Sequence, residues 1–308
     1  MRYGAHLPLI DFAGPGRGQR VLASYAATAR QLGYAAVTAN DHLVFQRPWL
    51  DGIVALAAVV EASGDLELAT TVSLPVVRGP VALAKAAAAL DVISGGRLVL
   101  GLGPGSSAGD YEAAGVPFDE RWPRFEESIR VVRACLTDGA PPFGGVFYAS
   151  VPALRPRPSQ VGGPPIWIAS WGSDAGLTRV ARLGDGWVAS AYNTTPARIL
   201  DARVKLAAAL AQAGRSLDGF PCALATMWTY VTDDTRVRDA RLAELAAMVK
   251  RPVERLSGMV LVGSAEHCAD LVRRYTEAGI DRMFIWPVAD AEVQLERFMQ
   301  EVVPWVES

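Results

Sequence analysis

Short runs rich in Ile, Val and Leu alternate with longer amphipathic stretches along the whole chain. The runs lie at residues 2–7, 35–39, 66–74, 98–102, 166–169, 186–190, 223–231 and 282–286. They are bounded by turn residues and are nearly continuous in apolar character, as strands buried on both faces of a parallel sheet must be. Between them, helical patterns run over residues 19–32, 52–62, 81–93, 121–136, 175–183, 196–213, 265–278 and 292–303. Glycines at 33, 184, 214 and 279 mark helix ends, where a left-handed residue stops the helix cheaply. Parallel strands need crossover connections, so eight strand–helix units in 308 residues predict an α/β fold, a (β/α)8 or TIM barrel. A doubly wound open sheet is the alternative and ordinarily uses fewer strands. Two stretches exceed a minimal connection: residues 141–164, with a hairpin expected over 143–148, and residues 233–263, with an extra helix. Both are read as insertions in βα loops, which build the active site of a barrel. No repeat or low-complexity linker divides the chain, so one domain over residues 1–308 is expected.

Composition narrows the function. Hydrophobic residues make up 51% and charged residues 20%, which excludes a disordered chain. A net charge of −2 offers no basic surplus for nucleic acid. No apolar run approaches the roughly 18 residues of a membrane span. The N-terminus meets Pro8 and Asp11 too early for a signal peptide, so a cytoplasmic protein is expected. Cys135, Cys222 and Cys268 have no CxxC spacing, and the only histidines are His6, His42 and His267. Neither a disulfide framework nor a metal site is indicated. Lysine occurs only at 85, 205 and 250, mostly in helical text, which argues against a Schiff-base barrel enzyme.

Three segments carry candidate chemistry. Asp41 and His42 end the second strand, where barrel residues face the site; a helix cap with an incidental histidine is the plainer alternative. Leu98-Val99-Leu100-Gly101-Leu102-Gly103-Pro104-Gly105-Ser106 ends a strand in alternating glycines, which either let a flat ligand approach the backbone or simply make a tight turn. Ala169-Ser170-Trp171-Gly172-Ser173 opens a helix whose free N–H groups suit a phosphate, although capping alone would explain Ser173.

In their order and surrounding text, these segments resemble the bacterial luciferase-like family of flavin- and F420-dependent oxidoreductases. The resemblance rests on Asp41-His42-Leu43, on Arg78-Gly79-Pro80-Val81-Ala82-Leu83-Ala84-Lys85 and on the long block Leu90-Asp91-Val92-Ile93-Ser94-Gly95-Gly96-Arg97-Leu98-Val99-Leu100-Gly101-Leu102-Gly103. It continues through Tyr111-Glu112-Ala113-Ala114-Gly115-Val116-Pro117-Phe118 and Ala181-Arg182-Leu183-Gly184-Asp185-Gly186-Trp187. Leu261-Val262-Gly263-Ser264-Ala265-Glu266 and Tyr275-Thr276-Glu277-Ala278-Gly279-Ile280-Asp281 complete it. Asp-His-Leu looks closer to the F420-using branch than to the luciferases.

The resemblance implies a barrel with coenzyme F420, or alternatively FMN, in its mouth. Asp41 and His42 would face the ring, Gly103, Gly105 and Ser106 would pass beside it, and Ala169, Ser170, Trp171, Gly172 and Ser173 would bind its edge and the phosphate. It further implies a bulge in the third strand with a non-proline cis peptide bond, at Thr71–Val72, backing the ring. Ser106 stands where some F420-dependent sugar-phosphate dehydrogenases carry a catalytic Glu, which puts their proton donor and substrate in doubt here.

Hydride transfer leaves a proton to be handled, and His42 suits it, with His6 in reserve. Phe45, Trp49, Tyr192, Trp228 and Trp286 are candidates for an apolar substrate pocket, or else fill the core. The expected function is hydride transfer between F420 and a small, mostly apolar substrate. The alternatives are an FMNH2-dependent monooxygenase fed by a separate flavin reductase, or a cofactor-binding barrel without turnover. A homodimer is expected, because the helices over 52–62 and 81–93 are apolar on more than one face.

Overall fold

A computed structural model describes residues 1–10, 18–149 and 151–307. Its strands are β1 (Arg2–His6), β2 (Ala36–Ala39), β3 (Glu67–Thr70), β4 (Leu98–Leu102), β5 (Ile166–Ala169), β6 (Gly186–Ser190), β7 (Cys222–Val231), β8 (Leu261–Gly263) and β9 (Arg282–Pro287). β1 to β7 pair in sequence order, and β9 pairs with both β7 and β1. Every pairing between these strands is parallel, so eight strands close into a (β/α)8 barrel. These are the eight runs read from the sequence. β8 is additional: it pairs Leu261, Val262 and Gly263 with Thr229, Tyr230 and Val231 on the far half of β7. Three residues are too few to show a period.

Several local expectations need correction. No strand forms over residues 143–148. The Glu127 carboxylate instead accepts from the N–H groups of Val146 and Phe147, both at 2.9 Å, replacing the partner a hairpin would supply. The helix expected over 52–62 is Gly52–Ala58, followed by turns. β3 stops at Thr70, and the Thr71–Val72 peptide bond after it is cis, at the position the resemblance implied. Gly184 ends its helix at φ −102, not left-handed like Gly33, Gly214 and Gly279. The insertion over 233–263 holds two helices, Thr235–Val249 and Val253–Ser257.

The barrel interior is lined at mid-height by small residues, among them Ala36, Ala69, Ala223 and Ala225. Its floor is filled by two large rings. Trp167 and Phe284 lie nearly parallel with centroids 6.4 Å apart. Space for them comes from glycines: a Cβ on Gly186 would lie 2.5 Å from the Trp167 ring, and one on Gly4 2.6 Å from Phe284. Below them the Arg282 guanidinium sits 4.9 Å from the Trp167 ring and bonds Glu67 at 3.1 Å, which also pairs with Arg2 at 3.0 Å. With the N-terminal end sealed, open volume is left at the C-terminal ends of the strands. Helices pack the outer face through a second, larger apolar layer, and no helix among the described residues is long and apolar enough to cross a membrane.

Trp167→Ala should lower unfolding free energy by about 3–5 kcal/mol, because it empties a site that nothing nearby can fill. Urea denaturation followed by circular dichroism measures this. A loss below about 1 kcal/mol would show that the floor does not depend on this ring.

Candidate functional site

Side chains alternate inward and outward along a strand. The last inward positions of the barrel strands therefore ring the C-terminal mouth, and a cavity of about 660 Å³ opens there. Asp41, His42, Thr71, Val72, Gly103, Gly105, Ser106 and the whole stretch Ala169, Ser170, Trp171, Gly172 and Ser173 line it. Parts of the chain more than 130 residues apart in sequence thus meet at one wall.

The flattest part of that wall lies between β3, β4 and β5. The segment after β3 runs hard against β4: Ser73 N–H donates to Gly101 O at 2.9 Å, and Gly103 N–H to Ser73 O at 3.0 Å. A Cβ on Gly101 would lie 2.1 Å from Thr70 O, and one on Gly103 2.5 Å from Val72 Cγ2. These glycines are required by the neighbouring strand as much as by any ligand, a cause the alternating pattern alone did not disclose. Thr71 Oγ1 is buried at this wall without a hydrogen-bond partner.

Asp41 and His42 face the same cavity in different ways. The Asp41 carboxylate is gripped by both Nε and Nη2 of Arg78 and accepts from Leu74 N–H at 3.4 Å. Arg78 also reaches Asp51 at 2.5 Å. The hydrogen bond to Asp41, against the cost of burial, holds the guanidinium well above its ordinary pKa. Asp41 therefore anchors the turn. His42, about one-fifth exposed, places Nδ1 2.8 Å from Oδ2 of Asp110. Oδ1 of Asp110 accepts from the N–H groups of Leu43 at 2.9 Å and Val44 at 2.8 Å. Burial alone would raise the Asp110 carboxyl, but the bonds from His42, Val44 and Leu43 bring it below its usual pKa. Sequence reasoning missed Asp110. Its one visible signal is the Ser-x-x-Asp spacing of a capping box. Ser107 does cap the helix Ala108–Ala113, but the Asp110 carboxylate reaches across to the His42 turn.

The opposite rim is polar. Ser173 Oγ accepts from Gly176 N–H at 3.2 Å and caps the helix Asp174–Leu183; Ser170 Oγ accepts from Gly172 N–H at 3.2 Å. A Cβ on Gly176 would lie 2.3 Å from Ser170 Oγ, so the close approach of Ser170 requires a glycine in the first turn of this helix. Arg121 and Arg198 also line the cavity, two cations that no local motif announced. Thr226, another lining residue, holds φ at 54° where β7 slips register against β9. A β-branched residue in that conformation marks a bulge that re-aims side chains at a site. Trp171 stays 55% exposed at the rim.

Of the five aromatics assigned to a substrate pocket, only Tyr192 lines the cavity. The others form a continuous cluster behind it, because the long β7 and β9 turn their upper ends toward the loop after β2. Phe45 and Trp49 pack on His42 with ring centroids at 5.1 and 4.7 Å, and Trp286 touches Trp49 at 5.9 Å and Trp228 at 6.3 Å. His6 is buried in this cluster, stacked on Trp286 at 4.0 Å, and does not line the cavity. Burial lowers its pKa from 6.5 to about 4; the Leu7 carbonyl and Asn40 only partly offset this.

Because folded His6 resists a proton that the unfolded chain accepts below pH 6.5, its contribution is complete above that pH. It is lost as pH falls toward 4, in all by about 3 kcal/mol. His6→Phe should flatten the pH dependence of unfolding free energy between pH 4 and 6.5, measured by urea titrations. An unchanged slope would locate the titrating group elsewhere.

A wall ending in close-packed glycines, an unpartnered Thr71 hydroxyl and a capped helix start, in a cavity that Arg121 and Arg198 also line, fit a planar heterocycle carrying a phosphate. Among the described residues no group of three or more His, Cys, Asp or Glu side chains is arranged to hold a metal. The model of the luciferase-like monooxygenase family matches residues 1–250. An F420-dependent glucose-6-phosphate dehydrogenase of Nocardia farcinica is 26% identical over 93% of this chain and 94% of its own length. An F420-dependent hydroxymycolic acid dehydrogenase of Mycobacterium tuberculosis is 30% identical over 80% of this chain and 68% of its own. The solved structure of an F420-dependent secondary alcohol dehydrogenase, in complex with an F420-acetone adduct, superposes with a TM-score of 0.85 at 18% identity. That match covers 100% of this chain and 99% of the other, a likeness of fold.

Proposed function

The chain belongs to the luciferase-like monooxygenase family, and from that premise we propose that it is an F420-dependent oxidoreductase acting on a small, mostly apolar substrate. The observation that carries the reading is the convergence of His42, the glycine wall and the Ser173-capped helix on one cavity. Bound F420 supplies the hydride chemistry. Val72 and Gly103 would offer the surface for its ring, and the unpartnered Thr71 hydroxyl would be free to bond it. Ser170, Ser173 and the helix N–H groups behind them would hold the phosphate, with Arg121 and Arg198 favouring an anionic tail. Names of relatives support F420 over FMN.

His42 handles the substrate proton. With Ser106 in place of an acid, Asp41 is the one carboxylate lining the cavity among the described residues, and it is held by Arg78. Phe45 and Trp49 pack on the imidazole from behind and keep water from that side, while Tyr192 gives the cavity an aromatic wall. The enzyme works as a homodimer through the helices Gly52–Ala58 and Pro80–Ile93, on which Val54 and Ile93 remain 66% and 62% exposed. Sedimentation at micromolar concentration should give twice the monomer mass; a monomer would remove that part of the reading.

Titration with F420 and with FMN, each oxidised and reduced and followed by absorbance and fluorescence, tests the cofactor. F420 should bind at least about tenfold more tightly, a difference of about 1.4 kcal/mol. Tighter FMN binding would move the protein to the monooxygenase reading. His42→Ala should leave F420 affinity within about twofold and lower turnover about 10²-fold or more. Unchanged turnover would reduce His42 to a packing residue.

A further inference from the structure

A buried Asp is a costly object, and Asp110 is spent on one loop. Its side chain is 1% exposed, and all three of its partners lie on the turn after β2: His42, Leu43 and Val44. Oδ1 is occupied by two backbone N–H donors. Oδ2 therefore meets Nδ1 of His42 as a carboxylate oxygen, which only accepts. Nδ1 must carry the hydrogen. In the neutral ring the other nitrogen, Nε2, is then a bare acceptor.

Resting on the functional reading above, we infer that Asp110 is the positioning residue of the active site: it locks His42 in the Nδ1–H tautomer and so presents Nε2 to substrate as the proton acceptor. In the oxidising direction a substrate O–H proton would pass to Nε2, and bound F420 would supply the acceptor for the substrate C–H hydride as the carbon–oxygen double bond forms. The imidazolium produced stays paired with the Asp110 carboxylate. In the reducing direction the same nitrogen returns the proton. Asp110 touches neither substrate nor cofactor, and its effect runs through the ring it orients and through the two backbone bonds that fix the turn.

Asp110→Asn separates these roles. The amide oxygen stays on the Leu43 and Val44 N–H groups, because the NH2 group would face two donors there. The NH2 group is thereby turned toward Nδ1, which must now accept, and the ring hydrogen moves to Nε2. Long-range proton–nitrogen correlation spectra of 15N-histidine protein read the tautomer directly at a pH where His42 is neutral. Only three histidines contribute, and His42→Ala identifies the signal. The wild-type protein should show Nδ1–H and Asp110→Asn should show Nε2–H. Turnover should fall by about 10²-fold or more in Asp110→Asn, and adding this change to His42→Ala should cost nothing further. A wild-type Nε2–H tautomer, an unswitched Asp110→Asn spectrum, or full turnover with a switched tautomer would each overturn the inference. The spectra need no cofactor, so failure of the F420 reading leaves the tautomer result to stand or fall by itself.

Discussion

A ring of parallel strands encloses a space with two ends, and a close-packed protein must fill one of them. Here the filling is done by Trp167 and Phe284, with Gly186 and Gly4 giving up side chains to seat them. Arg282, Glu67 and Arg2 close the floor with paired charge. Everything that the mouth offers follows from that plug. Above it the inward residues become small, then polar, and the βα loops are free to diverge without disturbing the ring.

The mouth is held by charge as much as by packing. Asp41, on the turn after β2, and Asp110, which reaches that turn from the helix Ala108–Ala113, are each deeply buried and partnered: Asp41 by Arg78 and the Leu74 N–H, Asp110 by His42 and two backbone N–H groups. Taking one partner from such a pair leaves an uncompensated charge and costs about 3–5 kcal/mol. The two carboxylates therefore tie the loop bearing His42 to the segment after β3 on one side and to the helix Ala108–Ala113 on the other. His42, although on a loop, is thereby fixed from two sides by buried ion-pair and backbone hydrogen bonds.

The strand pattern was legible because burial on both faces leaves its mark in consecutive residues. All eight barrel strands lie in the runs where local pattern puts them, whereas three-residue β8 left no period to read. Residues 143–148 look like a hairpin, and Glu127, 19 residues away in sequence from Val146, takes their N–H groups instead. Candidate site residues on strand ends were legible for the same reason as the strands. The aromatics were not: Trp228 and Trp286 lie at strand ends like the cavity residues, yet face the cluster behind the mouth.

Sequence alone determined the class of fold, the order of its elements and the strand ends that line the cavity, since each depends on residues within a turn or two of one another. Tertiary structure decided the partnerships. Asp110 stands 68 residues from His42, and Arg78 37 residues from Asp41, separations at which no local period survives. Only closure of the barrel brings those side chains within hydrogen-bond distance. Only burial then makes their partners obligatory, because a desolvated charge or ring nitrogen must be matched by whatever the fold places beside it.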